Sequence, residues 1–176
     1  LCPAGHARPY LTRPNFISYP NQDASIHTYR GICNQYPKTE GNPFVDVTII
    51  DTSSLGDRSY LVSAGDAAVV IDPQRDIDRV LGLAQQRGVQ ITHVLETHIH
   101  NDYVTGGLEL ARTVSAEYVV PAGDQVDYER RPARDGDVID AGPIQLEVMH
   151  TPGHTHHHVS YVLRDITGAV AGVFTG

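Results

Sequence analysis

Short apolar runs separated by turn residues predict most of the secondary structure from residue 45 onward. β-Branched residues dominate segments 45–51, 59–63 and 67–72, and turn residues lie between these segments. The three segments are therefore predicted to form an antiparallel meander of β-strands. Alternating or continuous apolar residues predict further strands at 91–96, 117–120, 144–150, 159–163 and 169–175, and residues 135–142 are predicted to form a turn and a short strand.

Two helices are predicted between the strands. Asp76 is a suitable N-cap, Gly88 supplies a C-terminal stop, and apolar residues recur between them at intervals of three and four. A second helix is predicted from about Thr105 to Val114. Because the first helix has one apolar face, it should cover the sheet. The predicted fold class is α/β (α+β), with a mixed, largely antiparallel sheet and helices on one face.

Residues 1–44 differ in composition from the rest of the chain. They contain six of the eleven prolines and four of the nine tyrosines, and they show no clean period of 2 or 3.6. Their net charge is +2, against −10 for residues 45–176, which indicates a domain boundary near Pro43. We expect residues 1–44 to be an irregular, disordered leader, with a docking arm as the alternative.

The overall composition is that of an ordinary globular protein and argues against some classes of partner. The chain has 176 residues, of which 40% are hydrophobic and 19% charged, and its apolar runs are too short for a transmembrane helix. The net charge of −8 argues against a nucleic-acid partner. Because Cys2 and Cys33 do not make a disulfide framework, a reduced, cytoplasmic location is expected.

The segment Glu96–Tyr103 carries the strongest chemical signal. It follows the predicted strand 91–96, and alternate side chains of an extended segment point the same way, so His98, His100 and Asp102 share one side. Two neutral imidazoles and a carboxylate suit a divalent transition metal. The alternative is three polar residues on a solvated loop, but their position after a buried strand favours a metal site.

A second histidine cluster, His150–His158, lies between two predicted strands. Pro152 and Gly153 force a turn, which can bring His154 to the same strand-end level as the first histidine segment. The run His156–His158 is expected either to be solvated at the entry of a strand or to form an adventitious metal-binding tract. We favour solvation for these three residues.

The two histidine segments together resemble the metal-binding motifs of the metallo-β-lactamase superfamily. Thr97–Asp102 resembles its His-x-His-x-Asp signature, and Thr151–Thr155 resembles its second metal motif. The resemblance covers residues 45–176 and implies a truncated domain, the first half of an αββα sandwich. Residues 96–107, with Asp72–Arg75 upstream, are most similar to the persulfide dioxygenase branch, especially to bacterial proteins in which rhodanese domains follow the lactamase-like domain.

The resemblance implies a site with one metal ion. Two-metal hydrolases of the superfamily, including the glyoxalase II thioesterases, have a histidine directly after the motif aspartate, where this chain has Tyr103. A neutral phenol is a poor zinc ligand. In the dioxygenase branch, His98 and His154 would hold one Fe²⁺, and His100 and Asp102 would support the ligands or hold water. In a Zn²⁺ hydrolase, His100 and Asp102 would be direct ligands.

The resemblance also places part of the site outside this sequence. In the family a carboxylate ligand follows a Phe-Thr-Gly tripeptide, and this chain stops at that tripeptide, Phe174–Gly176. Because the chain also begins at Leu1 rather than at methionine, we expect an N-terminal fragment. Such a fragment would lack the third ligand and the substrate-binding half. It is expected to be inactive and to self-associate through an exposed apolar strand.

For the intact protein, the resemblance implies a non-haem iron enzyme that oxidises a glutathione-type persulfide to sulfite and thiol. The alternatives are a zinc-dependent, glyoxalase II-like thioester hydrolase and a non-catalytic metal-binding remnant. The expected partner is a small-molecule persulfide or thioester, with no nucleic acid and no membrane. C-terminal rhodanese domains in the intact protein are a further expectation.

Overall fold

The computed structural model describes residues 16–20, 26–31, 45–52, 57–100, 104–165 and 167–176. The larger of its two sheets contains, side by side, β1 (Phe16–Pro20), β2 (Ile26–Gly31), β3 (Asp46–Thr52), β4 (Asp57–Ala64), β5 (Ala67–Ile71), β6 (Gln90–Leu95), β7 (Glu117–Pro121) and β8 (Arg131–Ala133). The smaller sheet contains β9 (Val138–Ala141), β10 (Ile144–His150), β11 (Val159–Arg164) and β12 (Val170–Phe174), hydrogen-bonded in the order β12-β11-β10-β9. Helix α1 (Ile77–Arg87) connects β5 to β6, and helix α2 (Gly107–Val114) connects β6 to β7.

The larger sheet is mixed. Strands β1 to β5 pair in antiparallel fashion, whereas β5 to β8 pair in parallel. The parallel pairs β5–β6 and β6–β7 each need a crossover connection, and the two helices supply it. The carboxyl ends of β5 and β6 consequently lie side by side, which places the segments after Ile71 and Leu95 at one edge of the sheet.

Two apolar cores hold the layers together. One lies between the helices and the larger sheet, with Val80 and Leu110 packed against strand residues such as Val94. The other lies between the two sheets, where Leu95 and Tyr161 are among the buried residues. Because both faces of the central strands are covered, β5 carries a continuous apolar run rather than an alternating pattern, and β6 ends in two buried apolar residues, Val94 and Leu95. Neither helix in the described part of the chain is long and apolar enough to cross a membrane.

The predicted fold class is confirmed, with differences at the helix ends. Helix α2 begins at Gly107 rather than at Thr105, because the Thr105 hydroxyl lies outside the helix and accepts a hydrogen bond from the Gly107 N–H at 3.0 Å. Asp76 makes no side-chain capping hydrogen bond, although it precedes α1 as predicted. Gly88 ends α1 in the left-handed conformation, with φ of 65°.

Two segments of residues 1–44, which are expected to be irregular, are strands in the structure. Strands β1 and β2 pair with each other, and β2 also pairs with β3, for example Ile26 with Ile50. Composition over 44 residues concealed two short runs rich in β-branched and aromatic residues, 16–19 and 26–29. The larger sheet therefore extends across the predicted boundary near Pro43, and the boundary itself stays a prediction.

Candidate metal centre

The two histidine segments meet where strands of the two sheets come together. His98 and His100 follow β6, and His154 lies in the turn between β10 and β11. The Val159 N–H donates to the Thr97 carbonyl at 2.9 Å, which ties the start of β11 to the first histidine segment. This bond joins residues that are far apart in the sequence.

Imidazole rings from both segments converge on His98. The centroid of its ring lies 4.0 Å from that of His100 and 4.9 Å from that of His154. His98 is buried, His100 is partly buried and His154 is exposed, so the cluster opens to solvent on the side of His154. The structure thus brings together three of the four residues that were singled out as metal ligands or their alternatives; that they bind a metal stays a prediction. The fourth, Asp102, and the neighbouring Tyr103 lie outside the described residues.

The chemistry of these donors fits a divalent transition metal. Imidazole nitrogen is a common ligand of both zinc and non-haem iron. Within the described ranges, no three His, Cys, Asp or Glu side chains are arranged around a single point as a bound ion would require. His98, His100 and His154 are therefore neighbours whose side chains would have to reorient to bind one ion together.

A hydrogen-bond relay orients the ring of His98. The buried Asp72 carboxylate accepts the Thr97 N–H at 2.7 Å and the Thr97 hydroxyl at 2.9 Å. The same hydroxyl oxygen lies 2.9 Å from His98 Nδ1. When Asp72 is ionised, its carboxylate can only accept, so the hydroxyl proton points to Asp72 and the hydroxyl oxygen accepts the Nδ1–H of His98. The neutral ring then has an unprotonated Nε2, which is the form that a metal requires.

Asp72 itself is held under unusual constraints. Its backbone has φ of 48°, a left-handed conformation that is costly for a residue with a Cβ. The Asp72 N–H donates to the Leu95 carbonyl at 2.8 Å, and the Ser59 hydroxyl donates to the Asp72 carbonyl at 2.7 Å. Burial raises the pKa of Asp72 to about 7, although the two hydrogen bonds from Thr97 act in the opposite direction. The surrounding bonds therefore stabilise a strained residue next to the histidines.

A second buried acid, Glu96, directly precedes the relay. Its side chain is fully buried, and its carboxylate accepts hydrogen bonds from the Thr105 hydroxyl at 2.6 Å and the Tyr118 hydroxyl at 3.0 Å. Burial raises the pKa of Glu96 well above its ordinary value, and the nearby charge of Asp72 raises it further. The sequence interpretation gave neither acid a role. The signal that could have found them is an acidic residue placed directly after a strand that ends in buried apolar residues.

The expectation that His156–His158 are all solvated is wrong for His158. Its side chain is only 6% exposed, and its ring stacks on that of His98 with centroids 4.9 Å apart. Its Nε2–H donates to the Thr175 carbonyl at 2.8 Å. His156 and His157 are exposed, as predicted. The ring of His158 lies inward at the point where the next residue, Val159, donates its N–H to the Thr97 carbonyl.

We expect His158→Ala to destabilise the chain, whereas His156→Ala should not. The first substitution removes a buried ring and its hydrogen bond, which together contribute about 1–3 kcal/mol. The second removes an exposed ring from the same turn and should change the free energy of unfolding by less than about 0.5 kcal/mol. Urea unfolding of the metal-free proteins measures both. Equal stability of the two variants would contradict the inward position of His158.

Comparisons with known proteins agree with this fold. Residues 56–172 match the family model of the metallo-beta-lactamase superfamily. The hydroxyacylglutathione hydrolase of Methylobacillus flagellatus is 38% identical over 96 residues, 53% of this chain and 38% of that protein. That of Acidiphilium cryptum is 33% identical over 128 residues, 69% of this chain and 51% of that protein. The chain therefore spans about half or less of the length of these relatives.

Two solved structures at 30% identity are also similar. A metallo-beta-lactamase from Staphylococcus aureus superposes with a TM-score of 0.68, covering 75% of this chain and 43% of that one. ETHE1 from Myxococcus xanthus superposes with a TM-score of 0.61, covering 66% of this chain and 53% of that one. The predicted superfamily is thereby supported by both sequence and structure, whereas the predicted branch within it stays a prediction.

Proposed function

Because the chain belongs to the metallo-beta-lactamase superfamily, we propose that His98, His100 and His154 form the metal centre of an enzyme that acts on a sulfur-linked group of a glutathione-type thiol. The observation that carries this proposal is the convergence of the three rings, at 4.0 and 4.9 Å from His98, beside the carboxyl end of β6. The cluster is exposed at His154, where a small molecule could reach it.

Thioester hydrolysis is the first candidate reaction. It is supported by the two hydroxyacylglutathione hydrolases, which are 33% and 38% identical to this chain over the aligned parts. A Zn²⁺ ion held here would supply Lewis acidity, which lowers the pKa of water and polarises a carbonyl. The residues of this chain contribute orientation: ionised Asp72, acting through Thr97, favours the tautomer of His98 with an unprotonated Nε2. His154 lies on the exposed side of the cluster.

Persulfide oxidation at a single Fe²⁺ is the second candidate. The observation that favours it is Tyr103, which stands where two-metal hydrolases of the superfamily have a histidine, because a phenol with a pKa near 10 is a poor ligand for a second ion. The structural similarity to ETHE1 accompanies this observation. In this reaction His98 and His154 would hold the iron, His100 and Asp102 would support them or hold water, and the products would be sulfite and thiol.

Activity assays on the full-length protein distinguish the two candidates. Hydrolysis of a hydroxyacyl thioester of glutathione, measured under nitrogen, is expected if the first candidate is correct. Oxygen uptake on addition of glutathione persulfide, without thioester cleavage, would replace the first candidate by the second. A metal-loaded protein with neither activity would contradict both. Self-association and rhodanese-type partner domains stay proposals.

Metal content gives an independent prediction. We expect the full-length protein to bind about one equivalent of metal, because Tyr103 cannot complete a second site. Elemental analysis after removal of loosely bound ions measures the ratio. Two tightly held ions per chain would contradict the argument from Tyr103 and would favour a two-metal hydrolase.

A further inference from the structure

The loop that carries His98 and His100 is closed by a contact between its two ends. It begins at Glu96, directly after β6, and ends at Thr105, just before α2. Oε1 of Glu96 and Oγ1 of Thr105 are 2.6 Å apart. The contact spans nine residues of sequence and is partly buried, so it joins the start of the loop to its end.

Each side of this contact is anchored to a different part of the fold. Oε1 of Glu96 also accepts the Tyr118 hydroxyl at 3.0 Å, and the Glu96 carbonyl accepts the Tyr161 hydroxyl at 2.8 Å. The Thr105 hydroxyl accepts the Gly107 N–H at the start of α2. Glu96 is thereby attached to both sheets, and Thr105 is attached to the helix.

The approach of α2 to Glu96 is as close as the atoms permit. A Cβ built on Gly107 would lie 2.0 Å from Oε1 of Glu96 and 2.7 Å from the ring of Tyr118. Only a residue without a side chain allows the first turn of the helix to sit over the acid at this distance. The position of Glu96 therefore depends on the helix, and the position of the loop end depends on Glu96.

The contact does not require one particular proton position. The Thr105 hydroxyl has one proton and two neighbouring acceptors, Oε1 of Glu96 and the Pro73 carbonyl at 3.1 Å. Either Thr105 donates to Glu96, or a protonated Glu96 donates to Thr105, which then donates to Pro73. Both arrangements keep the two side chains in contact, so the closure of the loop is a property of its geometry.

We propose that Glu96 and Thr105 form a clamp that positions His98 and His100 for metal binding. A loop whose ends are already joined loses less conformational entropy when its histidines converge on an ion. Groups that orient metal ligands in this way typically change metal affinity by about 10- to 100-fold. Glu96 and Thr105 are positioning residues, and the inference rests on the proposed metal centre but not on which reaction the centre performs.

Zinc affinity of matched variants of the full-length protein tests the clamp. Thr105→Val keeps the shape of the side chain and removes the hydroxyl, and it should weaken zinc binding by about 10-fold or more, measured by competition with a chelator. Thr105→Ser keeps the hydroxyl and should restore affinity to within about 3-fold of the wild type. Thr92→Val is the control, because the Thr92 hydroxyl contacts the Ala68 carbonyl at 3.3 Å at the other end of β6.

Variants at Glu96 test the same contact from the other side. Glu96→Leu should weaken zinc binding, and Glu96→Gln, which keeps an oxygen acceptor, should largely restore it. Because both residues make one contact, Glu96→Leu combined with Thr105→Val should bind zinc no more weakly than the worse single variant. The unfolding midpoint of each metal-free variant is measured in parallel, since a purely structural role would lower affinity only as far as it lowers stability.

Three results would overturn the clamp. The first is a Thr105→Val protein that binds zinc as tightly as the wild type. The second is a loss of zinc affinity in Thr92→Val as large as that in Thr105→Val, and the third is a Thr105→Ser protein that binds zinc as weakly as Thr105→Val. If Thr105→Val does not fold, the Glu96 variants decide. A Glu96→Gln protein that binds zinc as weakly as Glu96→Leu, or a Glu96→Leu protein that binds zinc as tightly as the wild type, would then overturn the clamp. A wild-type protein that binds neither zinc nor iron would contradict the proposed metal centre, and the clamp would fall with it. Failure of the clamp alone is recognised by a wild-type protein that does bind metal.

Discussion

Replacement of His98 by alanine is expected to abolish metal binding and activity in the full-length protein, and replacement of His154 is expected to do the same. Each substitution removes one nitrogen from the set of proposed metal ligands that both candidate reactions share. Loss of a direct ligand should lower metal affinity by more than about 100-fold, since even groups that only orient ligands change it by 10- to 100-fold. Metal titration with a chelator, followed by an activity assay, measures the loss.

His156→Ala is the matched control for His154→Ala, because His156 lies in the same turn and is exposed. It should retain both metal and activity. If His156 proves essential and His154 dispensable, the assignment of the second metal motif to the turn at Pro152 is wrong. If His98→Ala keeps its metal, the whole centre must lie elsewhere in the protein.

Most of the fold could be predicted because its signals are local. Strands β3 to β7 carry dense runs of apolar or β-branched residues, and both ends of α1 were located from Asp76 and Gly88. The short strand β8 has no such run, since its three residues, Arg131–Ala133, include a proline and an arginine. Its place in the sheet comes from pairing with β7 and cannot be read from its own composition.

The candidate site was only partly predictable, for a related reason. The spacing of His98 and His100 and the turn that presents His154 are visible in sequence. The inward position of His158 accompanies the bond from Val159 to Thr97, which joins the start of β11 to the segment after β6. Contacts of this kind join residues that are far apart in the chain, so they cannot be predicted from a local period or motif.

The hydrogen bonds that hold the histidine segment also join residues that are distant in the sequence. Asp72 and Thr97 are 25 residues apart in sequence and meet because β5 and β6 are parallel neighbours whose carboxyl ends coincide. Once the parallel pairing is known, an acid directly after one strand is expected to approach the segment that follows the other. A sequence interpretation that predicts the strands but not their pairing therefore finds the histidines and misses the groups that hold them.

Gly106→Ala is expected to have the second large effect, on stability rather than on metal binding alone. Gly106 immediately precedes α2, and its N–H donates to the Pro73 carbonyl at 3.0 Å. A Cβ on Gly106 would lie 2.1 Å from the Gln74 carbonyl oxygen and 2.9 Å from Cγ2 of Ile77. The closest obstacle is backbone, which cannot rotate away as a flexible side chain can.

The cost comes from this overlap and not from the backbone conformation of Gly106. Its φ of −80° and ψ of −4° are accessible to alanine without strain. The segment containing Gln74 would have to shift away from α2, and overpacking of this kind costs about 3 kcal/mol or more when backbone must move. Such a shift would also separate Thr105 from the Pro73 carbonyl and disturb the end of the histidine loop.

Gly82→Ala is the matched control, because the same substitution is made where there is room. Gly82 lies inside α1, and a Cβ there would meet no atom within 4 Å. Alanine at such a helical position should stabilise the chain by about 0.5–1 kcal/mol. Urea unfolding of the two variants should therefore give changes of opposite sign. A Gly106→Ala protein as stable as the wild type would mean that α2 does not pack on the segment 73–77 as closely as the structure places it.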